Sequence, residues 1–354
     1  MNENISCMLI RGGTSKGAYF LASDLPESEK ERDDLLVRIM GSGEGQQING
    51  IGGGTSLTSK VAIVSKSEQE GTDLDYLFAQ VAVDKKEVDT KPSCGNILSG
   101  IVAFASENNL VKLSSPSTML RVRNINTNTI IEVSAESPSG HLRYDGDVRV
   151  DGVPGTGSPV LLNFLDVGGS KTGKLFPTGN VRDQVEGVEV SCLDAAVPMV
   201  HINAKDFGLA GNETKQQLDD NAELLERIES IRLSAGRLMG MGDVTGSVVP
   251  KVSLLSPPTQ DGHITSRYFV PQNCHASHAV TGGICVAAAC MIPGTVAHEV
   301  CQGINSETVI IEHPSGQIQV NIKVEPGELE PAVRQAALVR TARPLFKGQV
   351  YPTF

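Results

Sequence analysis

The sequence predicts an α+β chain of two pseudo-symmetric domains, each a mostly antiparallel sheet rolled around one central helix. Three observations carry this. Most of the 354 residues fall into short β-branched runs punctuated by Gly, Pro and Asn. Two apolar helices, 95–108 and 281–292, stand out against that background. "SPSGHLRYDGDV" (137–148) and "HPSGQIQVNIKV" (313–324) share Pro-Ser-Gly ahead of an alternating strand, with Pro138 and Pro314 176 residues apart. Each repeat follows its helix by about one hairpin, so the order of elements recurs as well. Two such halves would face each other across a cleft that receives both helix N-termini. The expected domains are 1–185 and 186–340, divided in the charged stretch "TGNVRDQVEGVEV", with 341–354 returning to the first domain.

Along the chain, alternation and β-branched content predict strands at 6–10, 60–65, 76–83, 119–124, 129–135, 160–164, 197–202, 308–311 and 316–324. The first helix lies within 26–40, with Pro26 near its start and Gly41 past its end. The second, 95–108, aligns Ile101, Phe104 and Ala105 on one face and stops at Asn108-Asn109. The third, 214–239, is long and amphipathic, with a drifting stripe of Leu218, Ala222, Leu225, Ile228, Ala235 and Leu238. The fourth, "TGGICVAAACMI", is apolar all round and so belongs in a core.

Composition narrows the function. Hydrophobic content of 40% and charged content of 20% are ordinary for a soluble globular protein. No apolar run is long enough to span a membrane, and no basic segment precedes an apolar one at the start, so no signal peptide is expected. Seven cysteines without regular spacing fit a reduced, cytoplasmic chain. A net charge of −11 with no basic run argues against nucleic acid and against a polybasic membrane contact. With no Trp and 4% aromatic residues, base-stacking platforms are not expected.

Against that acidic background, donor-rich stretches are informative. In "KPSCGNILSG", Cys94 precedes Gly95-Asn96 at the start of the second helix. Unbonded N–H groups and the positive dipole end point there, which lowers a thiol pKa and cradles an anion. In "INGIGGGTSLTSKVAIV", the glycines at 50, 52, 53 and 54 expose backbone donors, and Ser56 and Lys60 follow. The stretch lacks the spacing of a P-loop, and a strand rather than a helix follows it. In "IRGGTSKGAYFL", Arg11 offers a carboxylate fork, and Thr14, Ser15 and Lys16 add donors. Thr281, Gly282 and Gly283 open the fourth helix as a second donor set. Cys274, His275 and His278 adjoin one another, but zinc needs three or four ligands and no second cluster appears, so no metal is expected. These parts suggest acid–base chemistry without a cofactor. A poised thiol and a desolvated lysine move a proton on a carbon skeleton activated by carboxylates, and helix N–H groups stabilise the enolate.

Cys94-Gly95-Asn96 at a helix start, the duplicated halves and the closing "RTARPLFKGQVY" resemble the diaminopimelate epimerase fold. The resemblance is closer, over essentially the whole chain, to the subgroup of methylaconitate isomerases (PrpF) and 4-oxalomesaconate tautomerases. It is carried by "MLIRGGTSKGAYFLASDLP", "IMGSG", "IGGGTSLTSKVAIV", "DYLFAQV", "CGNILSG", "VDGVPGT", "ESIRLSAGRLMG" and "IEHPSG". The epimerases pair one cysteine from each half. Here Cys94 takes the first place and Val280 the second, which argues against racemisation through two thiols. In the isomerase subgroup a lysine and a cysteine are implicated, and they match Lys60 and Cys94. The resemblance implies a small unsaturated tricarboxylate substrate, with 4-oxalomesaconate ahead of 2-methylaconitate and methylitaconate. The expected catalytic pair is therefore Lys60 and Cys94. The expected substrate ligands are Arg11, Thr14, Ser15, Gly53, Gly54, Ser56, Gly95, Asn96, Thr281, Gly282 and Gly283. No cofactor is implied. Other readings are a related isomerase on the same scaffold or an organic-acid-binding accessory protein. The assembly, a homodimer included, is left open.

Overall fold

The computed structural model describes residues 4–270, 273–327 and 330–352. The chain forms two compact units, Met1–Leu162 with Val339–Phe354, and Asn163–Leu338. The division differs from 185/186 because Asp183–Val185 pairs with Val188–Asp194 as a hairpin inside the second unit. The closing strand Ala342–Val350 pairs antiparallel with Ile5–Gly12, from Gly12↔Ala342 to Ile5↔Val350.

In the first unit, Ile5–Gly12 and Ser15–Leu21 form a tight hairpin. Ser15–Leu21 pairs parallel with Lys60–Lys66, which pairs antiparallel with Leu74–Val81. Leu74–Val81 pairs parallel with Ser117–Asn124, and a hairpin to Thr129–Glu136 follows. Burial on both faces explains why residues 17–21 of this strand run without polar alternation. Ala18 and Phe20 pack with Leu35, Leu36, Ile39 and Met40 of the helix Glu29–Met40. That helix starts after Ser28 and ends at Gly41 in a left-handed cap. On the other face, Tyr19 packs against Phe104, ring centroids 5.7 Å apart. Phe104 belongs to the helical segment predicted at 95–108. It is broken at Ser99–Gly100 into Gly95–Leu98 and Ile101–Glu107, and its residues 95–105 are buried. This segment touches strands at both ends of the series, Ile5–Gly12, Thr129–Glu136 and Ala342–Val350 among them, so the sheet curls around it.

The second unit repeats the pattern. Val188–Asp194 and Pro198–Asn203 form the hairpin, with Lys251–Ser256 parallel to it and Ile264–Phe269 antiparallel in turn. Thr308–His313 is parallel to Ile264–Phe269, and a hairpin to Gly316–Glu325 follows. The central helix Val280–Met291 is buried from Val280 to Cys290. The outer face is covered by Ala222–Leu238, whose Leu224, Ile228, Ile231 and Ala235 pack on Val190, Val200 and Val252. The predicted single helix 214–239 is two, Lys215–Asp219 and Ala222–Leu238. Asn221 accepts from the Leu224 N–H and restarts the chain as an N-cap. Leu238 of the predicted stripe is exposed.

The duplication is present, but Pro-Ser-Gly does not mark it. Pro138–Gly140 is a short turn after the hairpin of the first unit, whereas Pro314-Ser315 is the hairpin turn of the second. The strands in equivalent places carry the internal likeness instead. "KVAIVSKSEQEG" from Lys60 and "KVSLLSPPTQDG" from Lys251 share five of twelve residues, and each strand begins at its lysine.

Candidate active site

The first unit gathers most of the expected residues at one end of its central helix. The backbone carbonyl and the side chain of Asn96 press against the hairpin turn. A Cβ at Gly12 would lie 2.2 Å from the Asn96 carbonyl oxygen, and one at Gly13 2.2 Å from Asn96 Oδ1. Gly13 also has φ +49°, a left-handed conformation that suits glycine. The double glycine therefore lays the turn directly on the helix start. Asn96 Nδ2 donates to Thr14 Oγ1 at 3.1 Å, and Asn96 Oδ1 accepts from Arg340 Nε at 3.2 Å. Arg11, half-buried, donates through one guanidinium nitrogen to the carbonyl and, at 2.7 Å, to the hydroxyl of Thr341. Burial lowers its pKa, and the neighbouring Arg343 lowers it further. Ser15 is buried opposite Gly12 in the hairpin.

Cys94 occupies the N-cap of Gly95–Leu98 with extended backbone and is partly exposed. Its carbonyl accepts the first helical bond, from the Leu98 N–H at 3.0 Å, and a second from the Tyr76 hydroxyl at 3.0 Å. The N–H groups of Gly95 and Asn96 thus precede the helical ladder and stay available as donors. Tyr19, fully buried, donates its hydroxyl to the Ile97 carbonyl and ties the same turn to the sheet. Lys60 enters its strand opposite Gly17 and Gln80. It is 9% exposed, and its Nζ donates to Gln80 Oε1 at 2.6 Å and stands 5.1 Å from the centre of the Phe78 ring. Burial lowers the Lys60 pKa below the ordinary lysine value, and a thiolate at Cys94 is near enough to oppose that. The lysine and the cysteine are electrostatic neighbours.

The glycine loop has a different job from the one expected of it. The Gly50 N–H donates to the Gln47 carbonyl, Gly52 to the Met40 carbonyl and Gly54 to Gln47 Oε1 at 2.9 Å. These donors hold the loop against the end of Glu29–Met40. A Cβ at Gly53 would meet Thr58 Oγ1 at 2.5 Å. Ser56 is exposed, and its carbonyl accepts from Gln80 Nε2 at 3.2 Å. Gln80 also donates to the Ser59 carbonyl at 2.8 Å, so it couples the loop to Lys60. Gln80, Tyr76 and Arg340 escaped the sequence reading. Gln80 and Tyr76 sit on a strand whose polar positions look like an ordinary solvated face.

In the second unit, Thr281, Gly282 and Gly283 open Val280–Met291. The Gly283 N–H is taken by the Ala279 carbonyl at 2.8 Å, which leaves the N–H groups of Thr281 and Gly282 ahead of the ladder. Gly282 is obligatory there, since a Cβ would lie 2.5 Å from the Tyr268 ring. His278 Nε2 bonds Ser266 Oγ at 3.1 Å, and His275 Nδ1 accepts from the Ser277 N–H at 3.0 Å. Among the described residues no three His, Cys, Asp or Glu side chains are grouped to hold a metal ion.

A strand-wrapped helix in each of two repeated units, with a buried lysine beside a cysteine at a helix start, matches a class, the isomerases of the diaminopimelate epimerase-like fold. A hydroxyproline epimerase from Agrobacterium vitis matches with a TM-score of 0.60 over 98% of this chain and 92% of its own, at 12% identity, a likeness of fold. The crystal structure of a methylitaconate-delta-isomerase matches with a TM-score of 0.81 at 35% identity, over 99% of this chain and 96% of that one. A 4-oxalomesaconate tautomerase of Pseudomonas putida is 47% identical over 98% of this chain and 95% of its own length. A (4E)-oxalomesaconate Delta-isomerase of Novosphingobium is 45% identical over 99% and 98%. The PrpF protein family matches residues 2–353, and the chain belongs to it.

Proposed function

We propose that this protein catalyses an allylic proton shift on an unsaturated tricarboxylate, the keto–enol tautomerisation of 4-oxalomesaconate. The observation that carries the reading is the buried Lys60, its pKa lowered by desolvation, beside Cys94 at a helix start. Lys60, as the neutral amine, removes a C–H proton made acidic by the flanking carbonyl and carboxylates. The electron pair moves onto the flanking keto group, and the Cys94 thiol delivers a proton to the enolate oxygen, which gives the enol. One proton leaves and one arrives, so the substrate keeps its composition. The ammonium and thiolate then exchange protons with water and are reset.

Arg11, Thr14, Ser15 and the N–H groups of Gly95 and Asn96 are assigned to the substrate carboxylates and to the enolate oxygen. Gly54 is withdrawn as a direct ligand, since its N–H is committed to Gln47. The seven unpaired cysteines support a reducing, cytoplasmic setting. Among the described residues no helix is long and apolar enough to cross a membrane.

The test is a side-by-side ultraviolet assay of purified protein on 4-oxalomesaconate, 2-methylaconitate and methylitaconate. Faster conversion of 4-oxalomesaconate supports the reading, and preference for either methyl-substituted acid replaces the substrate. Tight binding of these acids with no exchange of their C–H protons for solvent deuterium would make the protein an organic-acid-binding accessory.

A further inference from the structure

Among the described residues nothing neutralises the charge of Arg340. Its side chain is 6% exposed, in the first unit. Its Nε donates to Asn96 Oδ1 at 3.2 Å and one Nη to the Val339 carbonyl at 2.8 Å, both uncharged acceptors. Among the described residues no carboxylate pairs with it. Burial is the sole influence on its pKa, which falls to about 10. Arg232, buried to the same degree in the second unit, shows the contrast. Its guanidinium makes a two-point contact with the Glu229 carboxylate, at 2.7 and 2.8 Å.

Burying an ion without a counter-ion is costly, and proteins ordinarily pair such a group or neutralise it. Two further arginines lie on one strand pair. Arg11 faces Arg343 across the strand pair Ile5–Gly12 and Ala342–Val350, and like charges placed opposite are destabilising. Among the described residues Arg11 has only the neutral oxygens of Gly13 and Thr341 for hydrogen-bond partners. Among the described residues the second Nη of Arg340 has no partner. It is also absent from the sealed polar atoms lacking a partner, which among the described residues are Thr72 Oγ1 and Ser256 Oγ. It therefore reaches an opening. Asn96 fixes where, because it holds Arg340 at the helix start two residues after Cys94, and Thr14 is the other partner of that amide.

We propose that Arg340 is a carboxylate anchor of this site, its guanidinium taking a substrate carboxylate in a two-point contact beside Cys94. The assignment rests on the tricarboxylate reading above, and supplies the counter-ion that the protein withholds. It also gives a role to a buried cation that a net acidic chain keeps here.

The experiment compares wild type, Arg340→Met and Arg340→Lys in two assays. The first is thermal unfolding with and without tricarballylate, a saturated tricarboxylate. The second is steady-state turnover of 4-oxalomesaconate. Ligand-free Arg340→Met should unfold no earlier than wild type, since an uncompensated buried charge has been exchanged for an apolar chain. Tricarballylate should raise the unfolding temperature of wild type and not of Arg340→Met. The variant's KM should rise about 10- to 100-fold, the worth of a charge-assisted contact, and Arg340→Lys should fall between.

Wild-type KM with an undiminished tricarballylate shift in Arg340→Met overturns the proposal, as does the lack of any shift in wild type. An early-unfolding Arg340→Met with wild-type KM makes the residue structural and overturns it too. Should Arg340→Met not fold, guanidinium NMR of arginine-labelled wild type decides, with the signal assigned by its loss in Arg340→Lys. That signal must move on adding tricarballylate, and a stationary one overturns the proposal. An Arg340-dependent shift without turnover leaves the anchor standing and removes the tautomerase reading. Turnover unaffected by Arg340→Met does the reverse.

Discussion

Replacing Gln80 tests whether Lys60 is the group whose ionisation governs turnover. Gln80 Oε1 accepts from Lys60 Nζ at 2.6 Å, and this bond favours the ammonium over the amine. A hydrogen bond to a charged group contributes about 1.5–3 kcal/mol net. At 1.36 kcal/mol per pKa unit, its loss displaces the Lys60 titration by about one to two pH units. The sign follows from which form loses support. In Gln80→Leu the ammonium loses its acceptor, so the limb of kcat/KM assigned to Lys60 moves to lower pH. In Gln80→Glu a carboxylate stands beside Nζ, so the limb moves to higher pH. Both variants lose the amide donor that binds the Ser56 and Ser59 carbonyls, so disturbance of that loop is common to them. Only the charge at the position differs. The assay is the pH dependence of kcat/KM on 4-oxalomesaconate in matched ionic strength. Limbs that shift in the same direction, or that stay in place in both variants, refute the assignment of Lys60.

Other perturbations follow from the same geometry. Gly13→Ala puts a Cβ against Asn96 Oδ1 at a residue with φ +49° and displaces the Thr14–Asn96–Arg340 chain. Turnover should fall about 10²-fold, the usual result of misplacing a reacting geometry, with the fold retained by circular dichroism. Phe104→Ala removes a ring that is 2% exposed and packed on Tyr19, and should cost about 3–5 kcal/mol in urea unfolding. Glu312 is a pH-dependent strut of the second unit. Burial opposes its ionisation, but the Thr259 and Gln260 N–H groups and the Thr259 and Thr265 hydroxyls outweigh that and hold its pKa at about 2. A depressed carboxylate contributes stability above its unfolded value of 4.5 and loses it as pH falls toward 2. Glu312→Gln should therefore unfold earlier than wild type at neutral pH, with the gap closing as the pH drops through that window.

Much of the fold was legible in the sequence because burial leaves a pattern. The helix Val280–Met291 is apolar all round and lies enclosed by its sheet, and Gly41 stops Glu29–Met40 where the chain needs a left-handed residue. The strands Ser15–Leu21, Lys251–Ser256 and Ile264–Phe269 were harder to see. Buried on both faces, with Lys16, Arg267 or serines among the apolar residues, they show no alternation to read. Pro-Ser-Gly misled because a turn tripeptide serves many hairpins, whereas the strand repeat starting at Lys60 and Lys251 reflects equivalent positions. Cys94, Lys60 and Arg11 were legible from the chemistry of donors around a helix start. Arg340 and Gln80 were not. Arg340 lies 244 residues from its partner Asn96 and Gln80 lies 20 from Lys60, and contacts of that kind leave no mark in local spacing.

The most direct test of the central claim is turnover of 4-oxalomesaconate in deuterium oxide by wild type, Lys60→Met and Cys94→Ser, with the product read by NMR. The account predicts that wild type incorporates solvent deuterium at the carbon next to the keto group, through reversible proton removal there. Each variant should be folded and roughly 10²–10⁴-fold slower, the usual worth of an acid–base group. Near-wild-type turnover and labelling by a folded Lys60→Met would contradict it.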